Sequence, residues 1–210
     1  MTDKIEDDKL DERSFDIIKE VINMGLGEAA DALSQLVNAR VIIKVPDVHI
    51  MDIKKAKTYI KNEVENLGIY IAQDFTGIIE GKTLLFYTQE CGISLLNTIY
   101  GDKKKVQGIT ETGISTLNEI GNIIMVSYIS AISNFIDGKI KFSIPNVSLE
   151  VSTLYFENLL NEMEELDKAI VVKNEMSIKS ENIQGYLFVL LSFKNFLVVV
   201  KNLQKRVLGK

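Results

Sequence analysis

The sequence predicts an α/β (α+β) fold. An α-β-α-β-β-α unit occurs twice, and the two units share one six-stranded sheet with two long helices over one of its faces. Three observations predict it. Helical periodicity and strand alternation follow one another in the same order in both halves of the 210-residue chain. The polar residues Asp16, Glu20 and Asn23 recur as Ser115, Glu119 and Asn122, each 99 positions further on. The chain has only two prolines, Pro46 and Pro145, and 22 residues separate each from its asparagine. A repeat of this kind is sought before a fold is assigned, because it decides how many independent cores the chain can have. Three strands make a thin sheet alone, so a single domain over residues 1–210 is expected, built of repeats at 10–101 and 110–208.

Ser14 to Asn38 is expected to be the first long helix, with Ile18, Val21, Ile22, Gly25, Ala29, Leu33 and Leu36 at three- and four-residue steps. Asp11 or Ser14 can cap it. Arg40 to Ile50 alternates and is rich in Val and Ile, so it is expected to be a strand. Pro46 lacks a ladder donor and places that strand at an edge or a bulge. Asp52 to Glu65 is a shorter polar helix. Gly68 to Ile79 and Lys82 to Tyr87, joined at Glu80-Gly81, form a hairpin. Gln89 to Tyr100 is helical and stops at Gly101. The second half repeats the order. Thr112 to Phe135 is the second long helix, ended by Asp137-Gly138, and Lys139 to Val151 is the strand carrying Pro145. Thr153 to Leu166 is the polar helix. Ala169 to Lys179 and Gly185 to Ser192 form the hairpin, with a longer turn through Ser180 to Gln184. Asn195 to Leu208 is the last helix.

Composition excludes several classes. Apolar residues are 46% and charged residues 25%, as in ordinary globular proteins. A net charge of −5 argues against a nucleic-acid partner, which needs a basic face. Lys103-Lys104-Lys105 is the one compact basic run and is expected in a solvated turn. Cys91 is the only cysteine, so no intrachain disulfide forms, which suits a reducing compartment. Met1 to Arg13 is too charged for a signal peptide. Tyr186 to Val200 is interrupted by Ser192, Lys194 and Asn195 and falls short of the roughly 20 apolar residues of a membrane span. A cytoplasmic location is expected.

A helix advances about 100° per residue, so with Asp16 at zero, Glu20 lies near 40° and Asn23 near −20°. The three form one stripe about 200° from the apolar stripe, by the same geometry. Ser115, Glu119 and Asn122 repeat this, with Leu117, Ile124, Tyr128 and Phe135 facing in. Such side chains on one helix are ordinarily a solvated face. Two copies with matched prolines favour a site held on rigid elements. Its chemistry is restricted. A single carboxylate and an amide make a poor metal-ligand set, and no nucleophile stands beside a base. His49 is the only histidine, has Ser148 as its counterpart, and is expected to be a surface strand residue. An asparagine amide can orient a water for in-line attack on a phosphoryl group, as a glutamine does in some GTPases. A glutamate can pair with a cation on a partner.

The pattern [D/S]-x-x-x-E-x-x-N-x(22)-P resembles that of the CheC/CheX/FliY family of chemotaxis phosphatases, and both copies match at every defined position. Glu20-Val21-Ile22-Asn23-Met24-Gly25-Leu26-Gly27 and Glu119-Ile120-Gly121-Asn122-Ile123 are similar to the family's helices. The resemblance spans about Leu10 to Leu208. Two copies look like the CheC type rather than CheX, which has one, and the lack of an extra C-terminal domain argues against FliY. The resemblance implies hydrolysis of the aspartyl phosphate on the response regulator CheY. Asn23 and Asn122 would orient the water, Glu20 and Glu119 would engage the receiver's lysine, and Asp16, Ser115, Pro46 and Pro145 would support them. It implies no cofactor in this chain, since the receiver carries the Mg²⁺. It also implies the deamidase CheD as a partner and a six-stranded sheet under the two long helices. The alternative expectation is a non-enzymatic adaptor that binds CheD or a receiver through the same faces. Gly27 corresponds to Val126, so the two sites are not expected to be equal.

Overall fold

Twelve elements follow one another along the residues that the computed structural model describes, which are 12–63, 67–101, 105–151, 154–155, 158–159, 168–178 and 181–208. They are α1 (Glu12–Val37), β1 (Val41–Asp52), α2 (Ile53–Glu63), β2 (Leu67–Gly77), β3 (Gly81–Thr88), α3 (Gln89–Tyr100), α4 (Glu111–Phe135), β4 (Ile140–Phe142), β5 (Asn146–Val151), β6 (Lys168–Ile178), β7 (Glu181–Leu191) and α5 (Phe193–Leu208). Local chemistry sets several boundaries. The Thr88 hydroxyl accepts the amide of Cys91 at 3.1 Å and starts α3; Gly101, at φ 71°, ends it. Thr110 accepts from Gly113 at 3.1 Å and starts α4. The guanidinium of Arg206 donates to the carbonyl oxygen of Phe135 at 2.6 Å, so the end of α5 satisfies an open carbonyl at the end of α4.

All strands join one antiparallel sheet in the order β1-β6-β7-β3-β2-β4, with β5 also on β2. β4 pairs with Phe75–Gly77 and β5 with Leu67–Ala72, so the two lie end to end along the same edge of β2. The sheet therefore has six strand positions. Exchanging β1, β2 and β3 with the β4/β5 pair, β6 and β7 leaves the order unchanged about the central β3–β7 pair.

Two of the strand and turn expectations need correction. The strand expected over Lys139 to Val151 is two strands, because Ser143 to Pro145 leaves the ladder and Pro145 has no amide hydrogen to return to it. The long turn expected through Ser180 to Gln184 is short, because the ladder continues to Ile178↔Glu181. Glu181, Asn182 and Gln184 read as turn residues by their polarity. Their backbones pair regardless, since ladder bonds do not depend on the side chain. The helix expected over Thr153 to Leu166 lies largely outside the described residues, as do Lys103 and Lys104.

The sheet is covered on both faces. On one, Ile22, Leu26 and Leu33 of α1 and Leu117, Ile120 and Ile124 of α4 pack on Ile69, Ile71, Leu85, Val172, Leu187 and Val189. Leu95 and Leu96 of α3 and Val199 and Leu203 of α5 join the same layer. On the other face Ile53 and Ala56 of α2 lie with Tyr70, Phe86, Tyr186 and Phe188. Each fully buried aliphatic side chain contributes about 1.5–3 kcal/mol of transfer free energy. Expected to face the core, Leu36 is instead 44% exposed, in the last turn of α1.

Helices α1 and α4 touch closely at Gly25. A Cβ placed there would lie 2.9 Å from the Cβ of Ala131 and 3.0 Å from the carbonyl oxygen of Ser127, whereas a Cβ at Gly27 would meet nothing within 4 Å. Opposite effects follow. Gly27→Ala should raise stability by up to about 1 kcal/mol through helix propensity. Gly25→Ala should lower it by about 1–3 kcal/mol, because backbone has to move to admit the methyl group. Urea denaturation followed by circular dichroism reads both, and a stabilised Gly25→Ala would contradict the close contact.

Candidate functional site

The residues of each triplet fall on one face of one helix. On α1, Asp16, Glu20 and Asn23 are all exposed. They are followed by Met24, 56% exposed, and by the open Gly27. On α4, Ser115 and Glu119 are exposed, but Asn122 is half-buried. The Ser115 hydroxyl donates to the carbonyl oxygen of Glu111 at 3.1 Å, a back-bond that holds it against its own helix. The α1–α4 contact at Gly25 falls two residues past Asn23 on α1 and, at Ser127, five past Asn122 on α4.

Asn122 is where the outward-facing expectation fails. Its Oδ1 accepts a hydrogen bond from Nε2 of Gln73 at 2.8 Å. Gln73 stands on β2, 1% exposed, in the helix-facing row Ile69, Ile71, Gln73, Phe75. Gly121 brings the two together: a Cβ there would lie 2.7 Å from Cγ2 of Ile71, so α4 settles on the sheet and the next residue reaches the next row. At the matching place in α1 stands Ile22, whose side chain is fully buried.

Both motif prolines mark edges. β1 is an edge strand, and its register with β6 shifts between Lys44 and Asp47, across Pro46. Pro145 closes the gap between β4 and β5 on the opposite edge. In that gap Ser143 is fully engaged. Its amide donates to the Asp74 carbonyl at 2.9 Å. Its hydroxyl accepts from the Asp74 amide at 3.0 Å, and its carbonyl accepts from Gln73 Nε2 at 2.8 Å. Ile144 is pushed outward and is 89% exposed.

Sequence reasoning missed Gln73. The signal was present: one amide interrupts an otherwise apolar row of alternate residues, and a polar residue on a buried face is the informative exception. The same signal occurs at Asn174 on β6, 2% exposed, in the row Ile170, Val172, Asn174, Met176, Ile178. His49 is a surface strand residue, as expected: its Nε2 lies 2.6 Å from Asp47 and its ring lies against Tyr59. Among the described residues, no group of three or more His, Cys, Asp or Glu side chains converges as a metal site would require, and no helix is long and apolar enough to cross a membrane. The arrangement presents, twice, a carboxylate one turn before an amide, with an exposed apolar residue close by in sequence to a motif residue. That suits docking on another protein and orienting a water there.

The chain is similar to several known proteins. Residues 14–50 match the family model described as CheC-like family, a stretch that holds the whole first motif through Pro46. The chain is 25% identical over 191 residues to the CheY-P phosphatase CheC of Bacillus subtilis, covering 88% of this chain and 91% of that protein. It is 30% identical over 144 residues to the flagellar motor switch phosphatase FliY of the same organism, covering 68% of this chain but only 37% of FliY. In three dimensions it resembles the crystal structure of Thermotoga maritima FliY with a TM-score of 0.74 at 20% identity, over 94% of this chain and 99% of that one. The structural likeness shows a shared fold.

The two asparagines should differ in mobility. Asn122, held by Gln73, should show a side-chain ¹⁵N order parameter near that of rigid backbone, about 0.8, and Asn23 one below about 0.6. Side-chain amide relaxation measures both. Equal values would contradict the hydrogen bond to Gln73.

Proposed function

We propose that this CheC/FliY-family protein hydrolyses the aspartyl phosphate of a CheY-like receiver domain. The observation that carries the proposal is the Glu–Asn pair, set one helical turn apart and present twice, with both glutamates and Asn23 exposed and Asn122 half-buried. The name of the Bacillus subtilis relative, matched over nine-tenths of its length, supports the same reading. In it the receiver brings the phosphoaspartate and the Mg²⁺ that polarises it, and this chain supplies no metal. Asn23 and Asn122 each hold a water whose O–H donates a hydrogen bond to the amide Oδ1, which turns an oxygen lone pair toward phosphorus on the line opposite the aspartyl oxygen. The contribution is positional, and a correctly oriented nucleophile can supply a large part of such a barrier.

Glu20 and Glu119 have a different role. A carboxylate beside a phosphoryl group is repelled unless a cation stands between them, so each glutamate pairs with a lysine of the receiver. Exposed Met24 and Ile144 flank the motif residues and give the receiver apolar surface to cover. The deamidase CheD is a further partner in this proposal, and the cytoplasm, where phosphorylated receivers reside, is the compartment. The two sites descend from one duplicated unit, at residues 10–101 and 110–208 of a single domain. The unchanged strand order on exchanging the halves supports this.

Asn23→Ala combined with Asn122→Ala should reduce catalysed phosphate loss from a phosphorylated CheY-type receiver to the spontaneous rate. Neither truncation removes core apolar area, so circular dichroism should be unchanged, although Asn122→Ala leaves one Gln73 amide hydrogen without its acceptor and costs some stability. Full activity in the double variant would leave only an adaptor that binds through the same faces. Glu20→Gln combined with Glu119→Gln should instead weaken binding to a receiver carrying a stable phosphoryl mimic by about tenfold, as expected for two partly exposed charge-assisted bonds. Raising salt should mimic part of that loss in the wild type. Unchanged affinity with lost turnover would move the glutamates into the chemical step.

A further inference from the structure

The bonds of Gln73 have a fixed polarity. A backbone carbonyl only accepts, so the group Gln73 turns to Ser143 is Nε2 and not Oε1. The second hydrogen of that nitrogen then needs an acceptor, and Asn122 has to present Oδ1 to it. Oδ1 keeps one lone pair free for a water, and Nδ2 is directed away from Gln73. The chain of orientation therefore begins at the Ser143 carbonyl. In an unbroken strand that carbonyl would join the ladder with β2. Here the break closed by Pro145 leaves it free for a side chain.

The first half lacks the counterpart of this arrangement. Asn174 faces the irregular stretch of β1 around Pro46, between the pairs Lys44↔Glu175 and Asp47↔Lys173, as Gln73 faces the gap before Pro145. It is one methylene shorter than glutamine, and its buried Nδ2 has no hydrogen-bond partner. The residue before Asn23 is the fully buried Ile22, where Gly121 stands before Asn122, so α1 has no glycine there to admit a sheet side chain as Gly121 admits Ile71.

We infer that Gln73 is a positioning residue that sets Asn122 for catalysis through the carbonyl that Pro145 frees, and that the second site is preorganised where the first is not. The inference rests on the proposed phosphatase reading. It assigns the motif proline a part in catalysis, since it opens the strand that supplies the orienting carbonyl. It also gives the asymmetry of the two sites a direction: Asn122→Ala should cost more turnover than Asn23→Ala.

The test isolates each site. In the Asn23→Ala background, Gln73→Glu and Gln73→Met should each lower kcat toward an acetyl-phosphate-charged CheY-type receiver by about tenfold or more, with KM changed by less than about twofold. In the Asn122→Ala background the same changes should cost nothing further, because Gln73 acts through Asn122. Equal losses in both backgrounds, or no loss in the first, would overturn the inference. A second readout needs no turnover. The Gln73 side-chain amide hydrogens should exchange slowly with solvent in the otherwise unaltered protein and faster in Asn122→Ala, and identical exchange in the two would overturn it as well. If neither parent hydrolyses the receiver phosphate, the phosphatase reading fails. The exchange measurement then decides alone whether Gln73 holds Asn122, and it decides equally if both Gln73 variants unfold.

Discussion

At two glycines the long helices come as close to their neighbours as backbone allows, and the placement of both triplets depends on it. Gly25 admits α4 against α1, and Gly121 admits Ile71 of the sheet against α4. A side chain at either place would have to displace main chain or a buried isoleucine. These contacts fix where each helix lies and how it is rotated, and rotation decides which residues face out. The apolar stripes supply the stabilising area. The glycines decide the geometry within which that area is buried.

The edges of the sheet answer a second constraint. A six-position antiparallel sheet leaves β1 at one side and β4 with β5 at the other, each with open backbone groups. Both motif prolines sit on these edges. A proline there removes a donor and interrupts the ladder, which discourages further strand addition. On the β2 side the interruption does more. Ser143 keeps all three of its polar groups bonded inside the molecule, and Ile144 is driven out to solvent. A defensive feature of the edge thereby becomes a support for a helix residue far away in sequence.

The chemistry available at the triplets is spare, and that limits the mechanisms open to them. A carboxylate and an amide can hold a cation and a water, and in-line attack on an activated phosphoryl group asks for little more. Such a division leaves the reactive bond and the metal on the partner and gives this chain the work of orientation. Buried, half-satisfied amides at Gln73 and Asn174 cost stability, since each carries one polar atom without a partner.

Much of the architecture was legible in the sequence because it follows local rules. Periodicity gave the long helices, alternation gave the hairpin of β2 and β3, and Gly101 marked the end of α3 through its backbone freedom. Pro46 foretold an edge or a bulge because a missing amide hydrogen is a property of the residue itself, and both are present. The exposed faces of Glu20, Asn23 and Glu119 followed from the helical turn alone. Polarity misled at Glu181 to Gln184, where ladder bonds ignore the side chain. What only the tertiary structure decided were the pairings across halves. β1 lies on β6 and β5 on β2, and no local signal chooses a partner that distant. The burial of Asn122 belongs to the same class. Its sequence neighbours place it on a helix face, but the distance from that face to the sheet is set by Gly121 meeting Ile71. Whether an amide waits below it is set by the register of β2 against a strand some 70 residues further along the chain.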